Sequence, residues 1–219
     1  MTAFRFPTTQ ERVSVVGKTG SGKTHFGVWL LSHASLQEMP YVVVDFKHDD
    51  LINDIEHKRE IKLKDTPDKA GLHIVHPHPW QKDEMENFFM NIWAQGNIGV
   101  FVDECYMIDK NSKAFQACLT QGRSKHIPMI NLSQRPVQVS RFVFSEAEHH
   151  AVFHLNDRRD RNTIEEWLPA DLDTRLPDYH SRFYNVNLDK IFHLTPAPSR
   201  ESILSRFAEK LKPKPRRFF

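Results

Sequence analysis

Short apolar runs alternate along the chain with stretches whose apolar residues recur every three or four positions, which predicts strands and helices in turn. Val13, Ser14, Val15 and Val16 form the first strand, and Phe26, Leu30 and Leu31, with Trp29 close by, mark a helix over 25–36. A near-continuous run at 41–46 reads as a strand covered on both faces. Residues 47–70 are charged and poorly periodic and predict a loop with a short helix. A strand follows at 72–75, closed by Pro77 and Pro79, then a helix over 81–95 with Met85, Phe88, Phe89, Ile92 and Trp93 as its stripe. The next buried strand spans 99–104, a helix spans 110–121, and a strand spans 127–133 with Pro128 near its start, where a missing N–H is tolerated.

Beyond Pro136 the pattern predicts a short strand at 151–155, a helix over 161–168 and a turn-rich region over 170–185. A hairpin or edge strand is expected within 184–194, and a last helix over 199–211 carries Ile203, Leu204 and Phe207 on one face. Repeated strand–helix alternation predicts an α/β fold with a mainly parallel sheet. The expected organisation is one domain over 1–198 with a short lead-in, then a helix and basic tail over 199–219.

Composition narrows this picture only at its edges. At 219 residues the chain is long enough for one domain with a large core. A net charge of +2 imposes no overall field that demands nucleic acid, so any such partner must be met by local patches. Two cysteines, Cys105 and Cys118, suggest no disulfide framework. The opening residues lack the apolar stretch of a secretory leader, and no run of 18 apolar residues predicts a membrane span.

The chemistry enters at Gly17, Lys18, Thr19, Gly20, Ser21, Gly22, Lys23 and Thr24, which fit the phosphate-loop pattern G-x-x-x-x-G-K-[ST] between a strand and a helix. Gly20 and Gly22 permit the tight turn that aims consecutive N–H groups at a phosphate, and the helix start adds its unpaired amides. Lys23 is expected on the β and γ phosphates of ATP, with the Thr24 hydroxyl on Mg²⁺. Hydrolysis further requires an acid for the metal and a group that polarises water. Asp103 and Glu104, at the end of the strand over 99–104, supply both in adjacent positions, Asp103 for Mg²⁺ and Glu104 for the water. Gln134, in Asn131-Leu132-Ser133-Gln134-Arg135-Pro136, has an amide that donates and accepts. It is either a contact to the γ-phosphate or attacking water, or a turn residue satisfying the backbone before proline.

Together these stretches resemble the FtsK–HerA class of DNA-pumping ATPases, which combines this loop with an Asp-Glu strand and a Gln-Arg-Pro stretch. A Gly-Arg segment upstream of that stretch is matched by Gly122 and Arg123, and Asp45-Phe46-Lys47 resembles the Asp-x-Lys that closes the second strand. The compact chain is most similar to the genome-packaging ATPases of tailless, membrane-containing icosahedral viruses of the PRD1 type, over roughly residues 11–155. The resemblance implies a three-layer P-loop NTPase with a RecA-like (ASCE) sheet, an ATP-hydrolysing motor and a homo-oligomeric ring, expected to be a hexamer, around double-stranded DNA. It also implies a place in the virion at the packaging vertex, or in the host cytoplasm during assembly, beside capsid vertex or viral membrane proteins. Arg123 is then the first choice for an arginine reaching a neighbour's phosphates, with Arg135 and Arg141 as alternatives. Rival readings are a plasmid-transfer or chromosome-type DNA pump, a small-molecule NTPase, and a nucleotide-gated assembly protein with little turnover.

Two basic clusters are weaker DNA candidates: Arg158, Arg159 and Arg161, and the tail residues Lys212, Lys214, Arg216 and Arg217. The tail also suits an acidic protein patch or a solvated end. Asp45 and Lys47 either flank the nucleotide site or cap the strand. His73, His76 and His78 are expected to be ordinary strand-end residues, since zinc needs converging ligands.

Overall fold

A computed structural model of the chain describes residues 6–8 and 10–212. The described residues form nine strands and seven α-helices. In chain order these are β1 (Arg12–Val16), α1 (Lys23–Ser32), β2 (Pro40–Asp45), α2 (Asp50–Asn53), β3 (Arg59–Glu60), β4 (Gly71–Val75), α3 (Lys82–Gln95) and β5 (Gly99–Asp103). There follow α4 (Lys113–Gln121), β6 (Met129–Ser133), α5 (Phe142–Ser145), β7 (His149–Val152), α6 (Arg158–Glu165), β8 (Ser181–Asn185), β9 (Lys190–Leu194) and α7 (Arg200–Leu211). One sheet holds every strand, in the order β3-β4-β2-β5-β6-β1-β7-β8-β9. All neighbours from β3 to β7 run parallel, while β8 and β9 close the sheet as an antiparallel hairpin.

The apolar strands alternate between two cores. Val13, Val15, Tyr41 and Val43 join Phe26, Leu31, Ile52, Ile203 and Phe207 on the face covered by α1, α2 and α7. Val16, Val42, Val44 and Val102 join Phe88, Phe89, Phe115, Phe144 and Ile164 on the face covered by α3, α4, α5 and α6. A strand with helices on both sides buries side chains of both parities, so its sequence reads as a continuous apolar run rather than an alternating one. The result is the expected three-layer α/β fold. β6 lies between the loop strand β1 and the acid strand β5, which is the RecA-like arrangement.

Several boundaries move for local reasons. α1 begins inside the motif at Lys23 rather than at 25, and it ends at Ser32. α4 starts at Lys113, not 110, because the Ser112 hydroxyl caps it by accepting from Phe115 N at 3.1 Å. α6 starts at Arg158 rather than 161, because Asp157 caps it by accepting from Arg159 N at 2.8 Å. β8 falls inside the region expected to be turns. Its Arg182 is buried and donates to Thr174 O at 2.7 Å, which gives the guanidinium a partner against the sheet. α7 packs on α1 with Ile203 and Phe207 fully buried, so the last helix belongs to the same core. The tail residues Lys214, Arg216 and Arg217 lie outside the described residues, and Lys212 is exposed just past α7.

Candidate active site

The phosphate loop leaves the carboxyl end of β1 and is pinned on both flanks. Gly17 N donates to O of Ser133, the last residue of β6, at 3.2 Å, and Lys18 N donates to His154 O beyond β7 at 2.9 Å. A side chain at Gly17 would meet Ser21 Oγ at 2.5 Å and Phe153 Cβ at 2.7 Å, so only glycine fits. Gly22 has φ 90°, a conformation open to glycine at little cost, and it leads into α1 without a side-chain cap. The first turn of α1 carries no acidic residue, so its amides and dipole face the loop uncompensated. That is the arrangement an anion requires.

Lys23, the first residue of α1, is 5% exposed, and its Nζ lies 2.8 Å from Glu104 Oε1. The Thr24 hydroxyl donates to Asp103 Oδ1 at 3.3 Å. Asp103 ends β5, and burial first, then the neighbouring Glu104 carboxylate, pushes its pKa from 3.8 up to about 7, with Lys23 opposing. The pair Thr24–Asp103 fits Mg²⁺, which takes one or two protein oxygens and completes its shell with phosphates and water. No group of three or more His, Cys, Asp or Glu residues able to cage a metal occurs among the described residues.

Glu104 is the most enclosed charge in the site. Its exposure is 0%, its φ is 58°, and the chain turns there from β5 into a 3₁₀ turn at Cys105–Met107. A left-handed backbone at a bulky residue costs about 1–2 kcal/mol. Here it directs the carboxylate back toward the phosphate loop. Oε1 receives both Lys23 Nζ and Lys47 Nζ, and Oε2 accepts from Gln134 N at 3.2 Å. Burial draws the Lys47 pKa down, but its hydrogen bond and charge interaction with Glu104 outweigh that and leave it raised.

Gln134 stands at the tip of β6. Its Oε1 accepts from the Thr19 hydroxyl of the phosphate loop, and its Nε2 donates to Tyr106 OH at 3.0 Å. The glutamine side chain therefore ties the loop to the segment after the acid pair and does not serve the backbone before Pro136.

The alternatives at the second strand separate. Asp45 lies opposite Asp103 in the sheet and accepts from Lys47 N and Asp49 N, both at 3.0 Å, so it caps the end of β2. Lys47 reaches the site. Tyr106 went unnoticed in the sequence, where its position two residues beyond Glu104 is the one available signal. His73, His76 and His78 do not converge. His73 bonds Lys69 O at 2.9 Å, His76 stacks on His48 at 4.1 Å, and His78 stacks on Trp80 at 4.6 Å.

Arg123 is exposed in the turn between α4 and β6, at the amino edge of the parallel strands. Its own phosphate loop lies at the carboxyl edge. Arg135 lines a cavity of about 450 Å³ beside Lys18, Thr19 and Gln134 of its own subunit. Arg141 pairs with Glu166 at 3.0 Å. Among the helix arginines, Arg158 and Arg159 are exposed on α6, Arg159 facing Asp157 at 3.4 Å. Arg161 is committed to the fold. It donates to Leu155 O at 3.0 Å, Asn156 O at 2.8 Å and Asp173 at 2.8 Å.

A phosphate loop, an acid pair two strands away and a glutamine on the strand between them define a RecA-like P-loop ATPase. No family model matches the chain. It is 43% identical over 215 residues to the DNA packaging ATPase P9 of Enterobacteria phage PRD1, covering 93% of this chain and 95% of that one. The chain therefore belongs to the PRD1-type family of DNA-packaging ATPases. Among solved structures, the genome packaging NTPase B204 of Sulfolobus turreted icosahedral virus 2 in complex with AMPPCP superposes with a TM-score of 0.67 at 19% identity, covering 87% of this chain and all of that one. EccC of Thermomonospora curvata (ATPases 2 and 3) gives a TM-score of 0.63 at 13% identity, covering 92% of this chain and 41% of that one. These two likenesses concern the fold.

Proposed function

We propose that the protein is an ATP-driven motor that moves viral double-stranded DNA into a preformed capsid. The observation that carries this reading is the enclosed Glu104, which joins Lys23, Lys47 and the Gln134 amide beside Asp103. A chain that only bound nucleotide would have no use for a second acid buried against the phosphate lysine.

The chemistry follows from what each group releases when triphosphate arrives. Lys23 and the α1 amides take the phosphates, so Lys23 exchanges its carboxylate partner for phosphate oxygen. Thr24 and Asp103 would hold Mg²⁺, which would supply charge neutralisation to the phosphates when bound. Glu104, relieved of Lys23, accepts the proton of a water aimed at the γ-phosphate. Gln134 orients that water with an amide already fixed by Thr19 and Tyr106. Lys47 remains as the counter-charge beside Glu104.

The placement of Arg123 at the far edge of the sheet excludes it from its own site and suits delivery to a neighbour. A homo-oligomeric ring, taken here as a hexamer, supplies such a neighbour, with DNA in its channel and capsid vertex or viral membrane proteins around it. Contacts to DNA go to phosphates, since packaging passes any sequence. Arg158 and Arg159 are suited to this, together with the basic tail, whereas Arg161 is not. No helix among the described residues is long and apolar enough to cross a membrane. The working place is the packaging vertex of the virion, or the host cytoplasm during assembly.

The test is steady-state ATP turnover with and without double-stranded DNA of mixed sequence, with mass measured in both states. The reading expects turnover that DNA stimulates, that is insensitive to sequence, that weakens as salt rises, and that accompanies a ring-sized mass. Turnover by a monomer that ignores DNA at every salt concentration would overturn it.

A further inference from the structure

Tyr179 combines three features that no step above uses. It is a large aromatic left 58% exposed, its backbone is held at φ 63°, and its ring lies against the phosphate loop. A Cβ built on Gly22 would meet Tyr179 Cδ1 at 3.0 Å, so the ring rests on the glycine that begins α1. Left-handed backbone at a bulky residue persists only where the surroundings enforce it, and such residues cluster at ligand sites. Here Tyr179 sits inside a turn that His180 N closes onto Pro177 O at 3.1 Å.

Topology says what this ring faces. The groups for the γ-phosphate, Glu104 and Gln134, lie on the β5–β6 side of the loop strand β1. A triphosphate lying along the loop with its γ end there carries its α-phosphate toward the opposite side, over β7. On that side is a pocket of about 150 Å³, lined by Lys18, Gly20, Ser21, His154, Arg175 and Tyr179 among others. It is separate from the cavity beside Gln134 and Arg135.

We propose that this pocket receives the base of the nucleotide, with the Tyr179 ring as its stacking platform; this rests on the phosphate-loop reading of the site. Stacking on an aromatic face tolerates any base, since each has a π-face. ATP and GTP therefore both bind more tightly than inorganic tripolyphosphate.

The test is titration of the full chain, in Mg²⁺, with ATP, GTP and inorganic tripolyphosphate, comparing wild type, Tyr179→Ala and Tyr179→Phe. Tyr179→Ala should weaken ATP and GTP about tenfold to hundredfold and leave tripolyphosphate unchanged, while Tyr179→Phe binds all three like wild type. The proposal fails if Tyr179→Ala binds ATP as wild type does, or if it loses ATP and tripolyphosphate equally, which would make the ring a support for the loop. Wild-type protein that binds tripolyphosphate but gains nothing from the base defeats the platform alone. Wild-type protein that binds none of the three defeats the phosphate-loop reading itself.

Discussion

Replacing Glu104 by Gln removes one charge from the most enclosed group in the site while keeping its shape. The Glu104 side chain is fully buried, and its Oε1 receives the buried Lys23 and the part-exposed Lys47. Glutamine leaves those two ammonium groups facing a neutral amide. Breaking a buried ion pair from one side costs about 3–5 kcal/mol, because the surviving charge is stranded. Lys47 can turn to water, so the loss falls on Lys23, and the lower end, about 3 kcal/mol, is expected. For a domain of this size that is a fall in Tm of about 6–12 °C without nucleotide. Triphosphate gives Lys23 a new partner, so saturating Mg-ATP should restore most of the loss. By linkage the variant should then bind ATP more tightly than wild type, by about a hundredfold. Turnover should nevertheless fall by about 10²–10⁴, the contribution of a positioned general base. Thermal unfolding with and without Mg-ATP, paired with single-turnover hydrolysis, reads all three effects. An unchanged Tm without nucleotide would refute the Lys23–Glu104–Lys47 cluster, and unchanged turnover would refute Glu104 as the base.

Asp103 supplies a pH dependence. Its folded pKa, raised from 3.8 to about 7, makes its ionisation oppose folding, so this contribution is absent below pH 3.8 and grows until pH 7. Asp103→Asn should accordingly lose less stability than wild type between pH 5 and pH 8 in the absence of Mg²⁺, as followed by denaturant unfolding. Mg²⁺ needs the ionised carboxylate, so its affinity in the presence of ATP should rise from pH 6 to pH 8 with proton release, which calorimetry in buffers of different ionisation enthalpy detects. Gln134→Ala removes the link between Thr19 and Tyr106 and should reduce turnover by about 10²-fold with little change in ATP affinity. Phe207→Ala empties a fully buried site under α7 and should cost about 3–5 kcal/mol of stability by chemical denaturation. A cost below 1 kcal/mol would mean that α7 is not part of the core.

The sheet was readable because its strands are apolar on both faces and are separated by helical stripes. The eight-residue loop was readable because its glycines and lysine serve one geometry. The start of α1 is legible from the loop motif, which places it near Gly22, and not from the apolar pattern. Apolar periodicity begins at Phe26, whereas the helix begins at Lys23 with bare amides, and a helix end kept open for an anion carries no capping residue to announce it. The role of Lys47 is ambiguous in the sequence, because its reach to Glu104 depends on β2 lying beside β5, a pairing that local pattern does not encode. Tyr106 and Tyr179 were missed because a single aromatic in a turn has no period. Arg161 looked like a partner of DNA in a basic run, yet two carbonyls and Asp173 take up its guanidinium.

That the site drives movement along DNA is tested most directly by triplex displacement, in which a motor travelling along a duplex strips off a bound third strand. The account predicts displacement by wild-type protein that requires ATP, is independent of duplex sequence, and is lost in Lys23→Ala and in Glu104→Gln. A third strand that stays bound while DNA-stimulated ATP turnover proceeds would contradict it.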